Sequence, residues 1–100
     1  MKRKASISND QAVIEQIRES PRFAVEYLKA AMEDTQEPKV LLIALRHIVE
    51  ARGGFAKVAR AAGIQRESLH RALSARGNPR FSTLAAVVNT IGLKLTIEAA

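Results

Sequence analysis

Apolar residues recur three and four positions apart along most of the chain, which is the spacing that places them on one face of an α-helix. Ser20 followed by Pro21 predicts a helix start, because the hydroxyl can cap the first turn and a proline at the first helical position loses no hydrogen bond. This helix runs to about Asp34. Pro38 predicts the start of another helix, and Gly53 ends it.

Three shorter helices are predicted in the second half of the chain. The first covers Phe55–Ala62 and the second runs from about Gln65 to Ser74. A loop rich in turn residues follows over 75–81, with an arginine on either side of its centre. Ser82 or Thr83 can cap the last helix, whose apolar residues again follow the helical period.

The two ends of the chain have different patterns. Residues 1–20 form an N-terminal extension, in which Asn9 or Asp10 can cap a short helix that ends near Glu19. At the other end, Leu93, Leu95 and Ile97 alternate with polar residues, and a period of two is typical of a half-buried strand.

A lone strand needs a partner for its backbone N–H and C=O groups. We expect the segment 93–97 to pair with a second copy of itself across a twofold axis, which would make a homodimer. The alternatives are a frayed tail and pairing with residues 5–8. The predicted fold is therefore mainly all-α: a helix-turn-helix bundle of about five helices over 21–100, preceded by an N-terminal helix and carrying one short C-terminal β-strand.

Charge is divided unevenly along this fold. The chain has a net charge of +6, and the stretch 52–80 alone contains seven basic residues against the single carboxylate of Glu67. Residues 5–37 are acidic, with seven carboxylates and three basic side chains. We expect one basic surface for a polyanion, nucleic acid before membrane, and an acidic surface for another partner.

Composition narrows the classes of function. The chain contains no cysteine, which excludes disulfides, thiolate metal sites and cysteine nucleophiles. Its longest apolar run, 40–45, is far shorter than the roughly 18 residues that a membrane helix needs. The basic residues 2–4 are followed by polar residues rather than by the apolar core of a signal peptide. We expect a soluble, cytoplasmic protein.

The two short helices in the middle of the basic stretch fit a helix-turn-helix unit. Ala59 is a small residue where the second helix must cross closely, and Gly63 supplies the left-handed turn four residues later. Leu69 is the apolar anchor of the second helix. An αα-hairpin used only for packing is the alternative reading.

In such a unit the second helix enters the major groove of duplex DNA, and its long polar side chains contact base edges. The candidates for base readout are Gln65, Arg66, Glu67, His70 and Arg71, with the two arginines the best suited to guanine. The candidates for phosphate contact are Lys57, Arg60, Arg76, Asn78 and Arg80.

The residues from Tyr27 to Glu98 resemble a known family, the Xre/Cro-type addiction-module antidotes, which are HigA-like antitoxins of type II toxin–antitoxin pairs. The resemblance is carried by Tyr27-Leu28, by residues 44–54, by the helix-turn-helix and above all by the Gly-Asn-Pro-x-Phe-x-Thr-Leu run at 77–84. It implies a lambda-repressor-like DNA-binding domain, dimerisation, and binding to the operator of its own operon. It also implies neutralisation of a RelE/ParE-like, HigB-like toxin.

RelE-like toxins are basic, so an acidic surface on the antitoxin is a plausible complement. The carboxylates expected to contact the toxin are those of the N-terminal acidic region: Glu15, Glu19, Glu26 and Glu33.

Other functions are weighed against this reading. No HExxH, GxSxG or phosphate-loop motif is present, and two histidines with scattered carboxylates do not make a metal site, so we expect no catalysis, cofactor, metal or small-molecule substrate. RNA binding by stacking would need exposed aromatic residues, and all four are expected in the core: Phe23, Tyr27, Phe55 and Phe81. The remaining alternative is a Cro/C1-type repressor without a toxin partner.

Overall fold

A computed structural model describes residues 2–33, 37–97 and 99, with the backbone alone described for residues 2–9. Within these residues the chain forms six helices, which we label in chain order as α1 (Lys2–Glu19), α2 (Pro21–Glu33), α3 (Pro38–Ala51), α4 (Phe55–Ala62), α5 (Arg66–Ala72) and α6 (Phe81–Thr90). None of the helices in the described ranges is long and apolar enough to cross a membrane.

The starts of α2 and α3 follow the predicted local signals, whereas α6 begins at Phe81, so neither Ser82 nor Thr83 caps it as predicted. The Ser20 hydroxyl oxygen accepts a hydrogen bond of 3.1 Å from the Phe23 backbone N–H, so the predicted cap of α2 is confirmed. Pro38 is the first residue of α3, also as predicted. The predicted end of α2 at Asp34 lies outside the described residues.

The core is built around α3 and α4. Helix α3 packs against α1, α2 and α4, and α4 packs in turn against α5 and α6. The largest fully buried side chains come from four of the six helices and from the residue that follows α5: Ile17, Leu45, Ile48, Val49, Leu69, Leu73, Val87 and Val88, with no charged side chain buried in the described part of the chain. Since Ile17 belongs to α1, the N-terminal helix is part of this core.

The first helix is longer than predicted. Asn9 and Asp10 do not cap it, because α1 already begins at Lys2 and both lie in its interior. No glycine or proline occurs between Lys2 and Glu19, so nothing in the sequence stops the helix from extending. The backbone of residues 5–8 is helical, which rules out its pairing with the C-terminal segment as a strand.

The C-terminal segment also differs from the prediction. Residues 93–97 form neither helix nor strand in the single chain described, so the expected β-strand is absent there. The physical reason is that a strand needs a ladder partner, and the described residues of this chain supply none. Leu93 and Leu95 are half-buried against the core, whereas Ile97 is 96% exposed.

A polar network joins the first three helices at one side of the core. The Tyr27 hydroxyl lies 2.5 Å from His47 Nδ1, which connects α2 to α3. His47 Nε2 lies 3.3 Å from an Asp10 carboxylate oxygen, which connects α3 to α1. Phe23 stacks on Tyr27 with the ring centroids 5.8 Å apart, so the phenol is held on both sides.

The network predicts an alkaline shift in the titration of Tyr27. Burial raises the pKa of the phenol above its ordinary value of 10.0, and the Asp10 carboxylate adds to the increase. Because the unfolded chain then loses this proton first, the stabilisation is fully present below pH 10.0 and is lost as the pH rises through the raised pKa. The chain has one tyrosine and no tryptophan, so near-ultraviolet phenolate absorbance reports Tyr27 alone.

We expect a native titration midpoint above 10.0 that returns to this value in urea. The matched variant Asp10→Asn should lower the native midpoint but keep it above 10.0, since burial is the larger cause. A native midpoint at or below the urea value would contradict the network.

Candidate nucleic-acid interface

Helices α4 and α5 meet at a three-residue turn over 63–65. Gly63 ends α4 in the left-handed conformation, with φ 72° and ψ 31°, as predicted. The Ile64 N–H then bonds back to the Ala59 carbonyl at 2.9 Å. Ala59 is 2% exposed and Leu69 is completely buried, so both side chains face the interior, as the helix-turn-helix pattern predicts.

The five candidates for base readout all lie on the solvent side of this unit. Gln65 precedes α5, and Arg66, Glu67, His70 and Arg71 lie on it; every one is exposed. Glu67 falls in the first turn of α5 beside Arg66, and His70 and Arg71 fall in the last turn; the helix dipole favours the positions of Glu67 and Arg71. The outer surface of α5 therefore presents long polar side chains on a helix whose other side is fixed in the core.

His70 makes a contact that the sequence pattern did not indicate. Its imidazole stacks on the Phe55 ring with centroids 4.0 Å apart and an angle of 18° between the ring planes. One ring face is therefore occupied by Phe55. Any contact with a ligand has to use the ring edge or the other face.

A shallow polar cleft lies between α5 and the start of α6. Its volume is about 740 Å³, and it is lined by Ser68, Arg71, Ala72, Ser74, Arg76, Gly77, Asn78, Pro79, Arg80 and Thr83. We call this the arginine cleft. It brings one candidate for base readout, Arg71, together with three candidates for phosphate contact, Arg76, Asn78 and Arg80. Lys57 and Arg60 are exposed on α4 and do not line it.

The shape of the arginine cleft depends on Gly77. A Cβ atom at this position would lie 2.0 Å from the Ala72 carbonyl oxygen and 2.8 Å from the Arg71 carbonyl oxygen. Both are backbone atoms that cannot rotate away, so only glycine allows the loop to sit this close to the end of α5. The Gly77 N–H also donates to the Ser74 carbonyl at 2.8 Å, which closes the turn.

Arg46 holds the same end of α5 from the opposite side, and the sequence reading missed it. From α3 its guanidinium donates to the backbone carbonyl of Leu73, the residue that caps α5. A cation at a helix C-terminus is favourable because the last carbonyls carry partial negative charge. The available signal was an arginine inside the apolar run of α3.

Arg52 has a structural position rather than a place on the basic surface. It is half-buried, and its Nη2 lies 3.4 Å from the carbonyl oxygen of Ile91, the residue that caps α6. The basic charge available to a ligand therefore comes from the remaining cations of this stretch: Lys57, Arg60, Arg66, Arg71, Arg76 and Arg80, all of them exposed.

Carboxylates do not neutralise this charge. Between described residues, the close contacts of basic with acidic side chains are Arg18 with Glu15 and His47 with Asp10, and none of these residues belongs to α4, α5 or the following loop. Glu67 is the only acidic residue in the stretch 52–80. The surface formed by α4, α5 and the following loop is suited to a polyanion.

Comparison with known protein families identifies the family to which this chain belongs. A family model described as "Probable addiction module antidote protein" matches residues 10–99. The chain belongs to this antidote family. The resemblance to addiction-module antidotes that the sequence predicts is therefore confirmed.

The chain is also similar to a curated protein. An uncharacterized protein of Haemophilus influenzae is 40% identical to the antidote over 60 residues, which cover 60% of this chain and 61% of that protein. The match therefore spans about three fifths of the relative's length. No solved structure matches the chain.

The acidic candidates of the antidote lie on its first two helices. Glu15 and Glu19 are exposed on α1, and Glu26 and Glu33 are exposed on α2. Glu15 is paired with Arg18 at 2.9 Å, and Arg18 Nε in turn lies 3.4 Å from the Ala51 carbonyl oxygen. These side chains are therefore accessible, on elements separate from the arginine cleft.

The candidate dimerisation residues of the antidote border an apolar groove. Leu93 and Leu95 line it together with Leu28 and Met32 of α2, and its volume is about 520 Å³. Ile97 lies beyond the groove and is almost fully exposed. Residues 93–97 therefore carry two apolar side chains that are half-buried against the core and one that is exposed to solvent.

The aromatic residues of the antidote are not all in the core. Phe55 is buried, and Phe23 and Tyr27 are partly buried against the core, as expected. The prediction for Phe81 was wrong, since this side chain is 69% exposed. Phe81 is the first residue of α6, where it precedes the part of the helix that packs on α4. In the described part of the antidote, no three acidic or histidine side chains are grouped closely enough to hold a metal ion.

Proposed function

We propose that this antidote is a sequence-specific double-stranded DNA-binding antitoxin of a type II toxin–antitoxin module, with a lambda-repressor-like helix-turn-helix domain. In this proposal it represses its own operon and neutralises a RelE/ParE-like, HigB-like toxin in the cytoplasm. The observation that carries the DNA part is the arginine cleft beside the exposed side of α5.

Duplex DNA requires two kinds of contact from one surface. Bases are read in the major groove by side chains near the start of the recognition helix, and phosphates on the groove edge fix its register. Gln65, Arg66 and Glu67 are exposed at the start of α5. The arginine cleft lies at the other end of the same helix. Arg71 is a candidate for base readout and also lines the arginine cleft, so it is suited to contact the DNA backbone as well as a base.

The DNA proposal predicts that the recognition arginines carry sequence preference. Arg66→Ala combined with Arg71→Ala should erase the preference for a duplex taken from the region upstream of its own operon, while weaker binding to a shuffled duplex remains. The reason is that the phosphate contacts of Arg76, Asn78 and Arg80 persist when the base contacts and the backbone contact of Arg71 are removed. Fluorescence anisotropy across a salt series measures both affinities.

A matched control removes the same charge elsewhere. Arg22 on α2 and Lys39 on α3 are exposed, so Arg22→Ala with Lys39→Ala lowers the net charge equally. This control should retain the preference. If the α5 double variant retains it too, α5 is not the recognition helix.

The toxin part rests on the family description and on charge. An antidote implies a toxin, and the exposed carboxylates of α1 and α2 offer an acidic surface to a basic partner. Reversal of the four candidates to lysine should abolish pull-down of the small basic protein encoded by a neighbouring reading frame: Glu15, Glu19, Glu26 and Glu33.

Two further variants distinguish toxin binding by the acidic surface of α1 and α2 from an effect of the overall charge of the chain. Reversal of Glu37 and Glu50, exposed carboxylates outside α1 and α2, should leave the pull-down intact. Replacement of the four candidates by glutamine removes charge without adding lysine, and should weaken the pull-down while the melting temperature stays the same. Full retention by the four-lysine variant would refute this location.

Dimerisation is proposed through residues 93–97. An exposed Ile97 and the absence of a partner strand among the described residues support pairing with a second copy. Leu95→Pro should give monomers in sedimentation and much weaker operator affinity, since proline removes the N–H at 95. Leu95→Ala keeps the N–H at 95 and is therefore the control for the loss of side-chain packing. A larger fraction of this variant than of Leu95→Pro should sediment as a dimer. Equal sedimentation of the proline variant and the unmodified chain would count against the pairing.

The second candidate function is a Cro/C1-type repressor without a toxin. Such a repressor would have the same DNA-binding surface, but there would be no toxin to bind its acidic surface. The gene neighbourhood separates the two, because a toxin–antitoxin pair requires a small basic reading frame beside this one. The family description favours the antitoxin.

A further inference from the structure

Phe81 is an unusual residue for its position. It is 69% exposed, whereas the other three aromatic side chains are packed against the core or buried in it. It opens α6, and the residues on either side of it belong to the arginine cleft: Arg80 directly before it and Thr83 two positions after it both line the cleft. A large apolar ring is therefore exposed to water on a residue that adjoins, in sequence, a site rich in cations, although Phe81 itself does not line that site.

A DNA strand offers the chemistry that matches this combination. Along its backbone, phosphates alternate with deoxyribose rings, whose carbon atoms form an apolar surface. A phosphate held by Arg71, Arg76 and Arg80 would place the adjoining sugar next to the edge of the cleft. Apolar contact at that point removes the exposed ring from water.

We propose that Phe81 packs against the deoxyribose next to the phosphates held in the arginine cleft and so adds affinity that does not depend on base sequence. This inference rests on the proposed DNA-binding function. Base reading by Phe81 is disfavoured because Phe81 belongs to α6 and not to the candidate recognition helix α5. A basic toxin is disfavoured as its partner because the surroundings of Phe81 are themselves basic.

The test compares variants of the full chain on two labelled duplexes. One comes from the region upstream of its own operon, and the other is a shuffled duplex of the same composition; anisotropy is followed across a salt series. Phe81→Ala should weaken binding to both duplexes by about tenfold, the order expected for loss of one buried aromatic contact. The slope of log affinity against log salt should not change, since no phosphate contact is lost.

Two variants provide matched controls. Arg80→Ala, one residue earlier, should weaken binding and also reduce the salt slope by about one, because it removes a phosphate contact. Phe81→Leu retains an apolar side chain and should recover part of the affinity. Because Phe81 is exposed, both Phe81 variants should melt at the temperature of the unmodified chain.

The following results with Phe81→Ala would overturn the inference. Unchanged affinity of Phe81→Ala would mean that the ring does not touch DNA. A loss confined to the upstream duplex would make Phe81 a base reader, and a reduced salt slope would mean that its removal disturbs the arginines. If Phe81→Ala binds DNA normally but loses the toxin, the ring belongs to a protein contact. Failure of the unmodified chain to bind either duplex would instead refute the proposed function itself.

Discussion

Helix α5 has only seven residues, too few for a helix to be stable by itself in water, so its position depends on burial of two leucines. Leu69 and Leu73 are both completely buried. They fix the side of α5 that faces the core and therefore the side that faces solvent. Arg46 and Gly77 act at the C-terminal end, where the first donates to the Leu73 carbonyl and the second lets the loop approach within contact of the Ala72 backbone. Without these contacts, neither the exposed side of α5 nor the arginine cleft would have a defined shape.

The charge is divided between two groups of helices. Helices α1 and α2 expose the acidic candidates and are joined to α3 through Asp10, Tyr27 and His47. Helices α4 and α5 and the following loop expose six cations, and Glu67 is the only acidic residue in the sequence from 52 to 80. A chain of this size can therefore offer separate surfaces to a basic protein and to DNA. This division fits the proposed function of an antitoxin that also represses its own operon.

The helix boundaries could be predicted because the signals at Pro21, Pro38 and Gly63 act locally. The exposed position of the base-readout candidates could also be predicted, since the helical period fixes which residues face inward. What sequence did not reveal depends on contacts between distant residues. The bond from Arg46 to Leu73, the stacking of His70 on Phe55 and the exposure of Phe81 all follow from how helices meet. A strand at 93–97 cannot be seen in one chain if its partner is a second copy.

The most direct measurement is an NMR titration of the ¹⁵N-labelled chain with the duplex from upstream of its own operon. Binding through the helix-turn-helix should shift the amide signals of residues 65–71 and 74–83, and it should leave the amides of α1 and the first turns of α2 in place. Shifts confined to α1 and α2, or no shifts at a salt concentration where a basic surface binds DNA, would contradict the proposed interface.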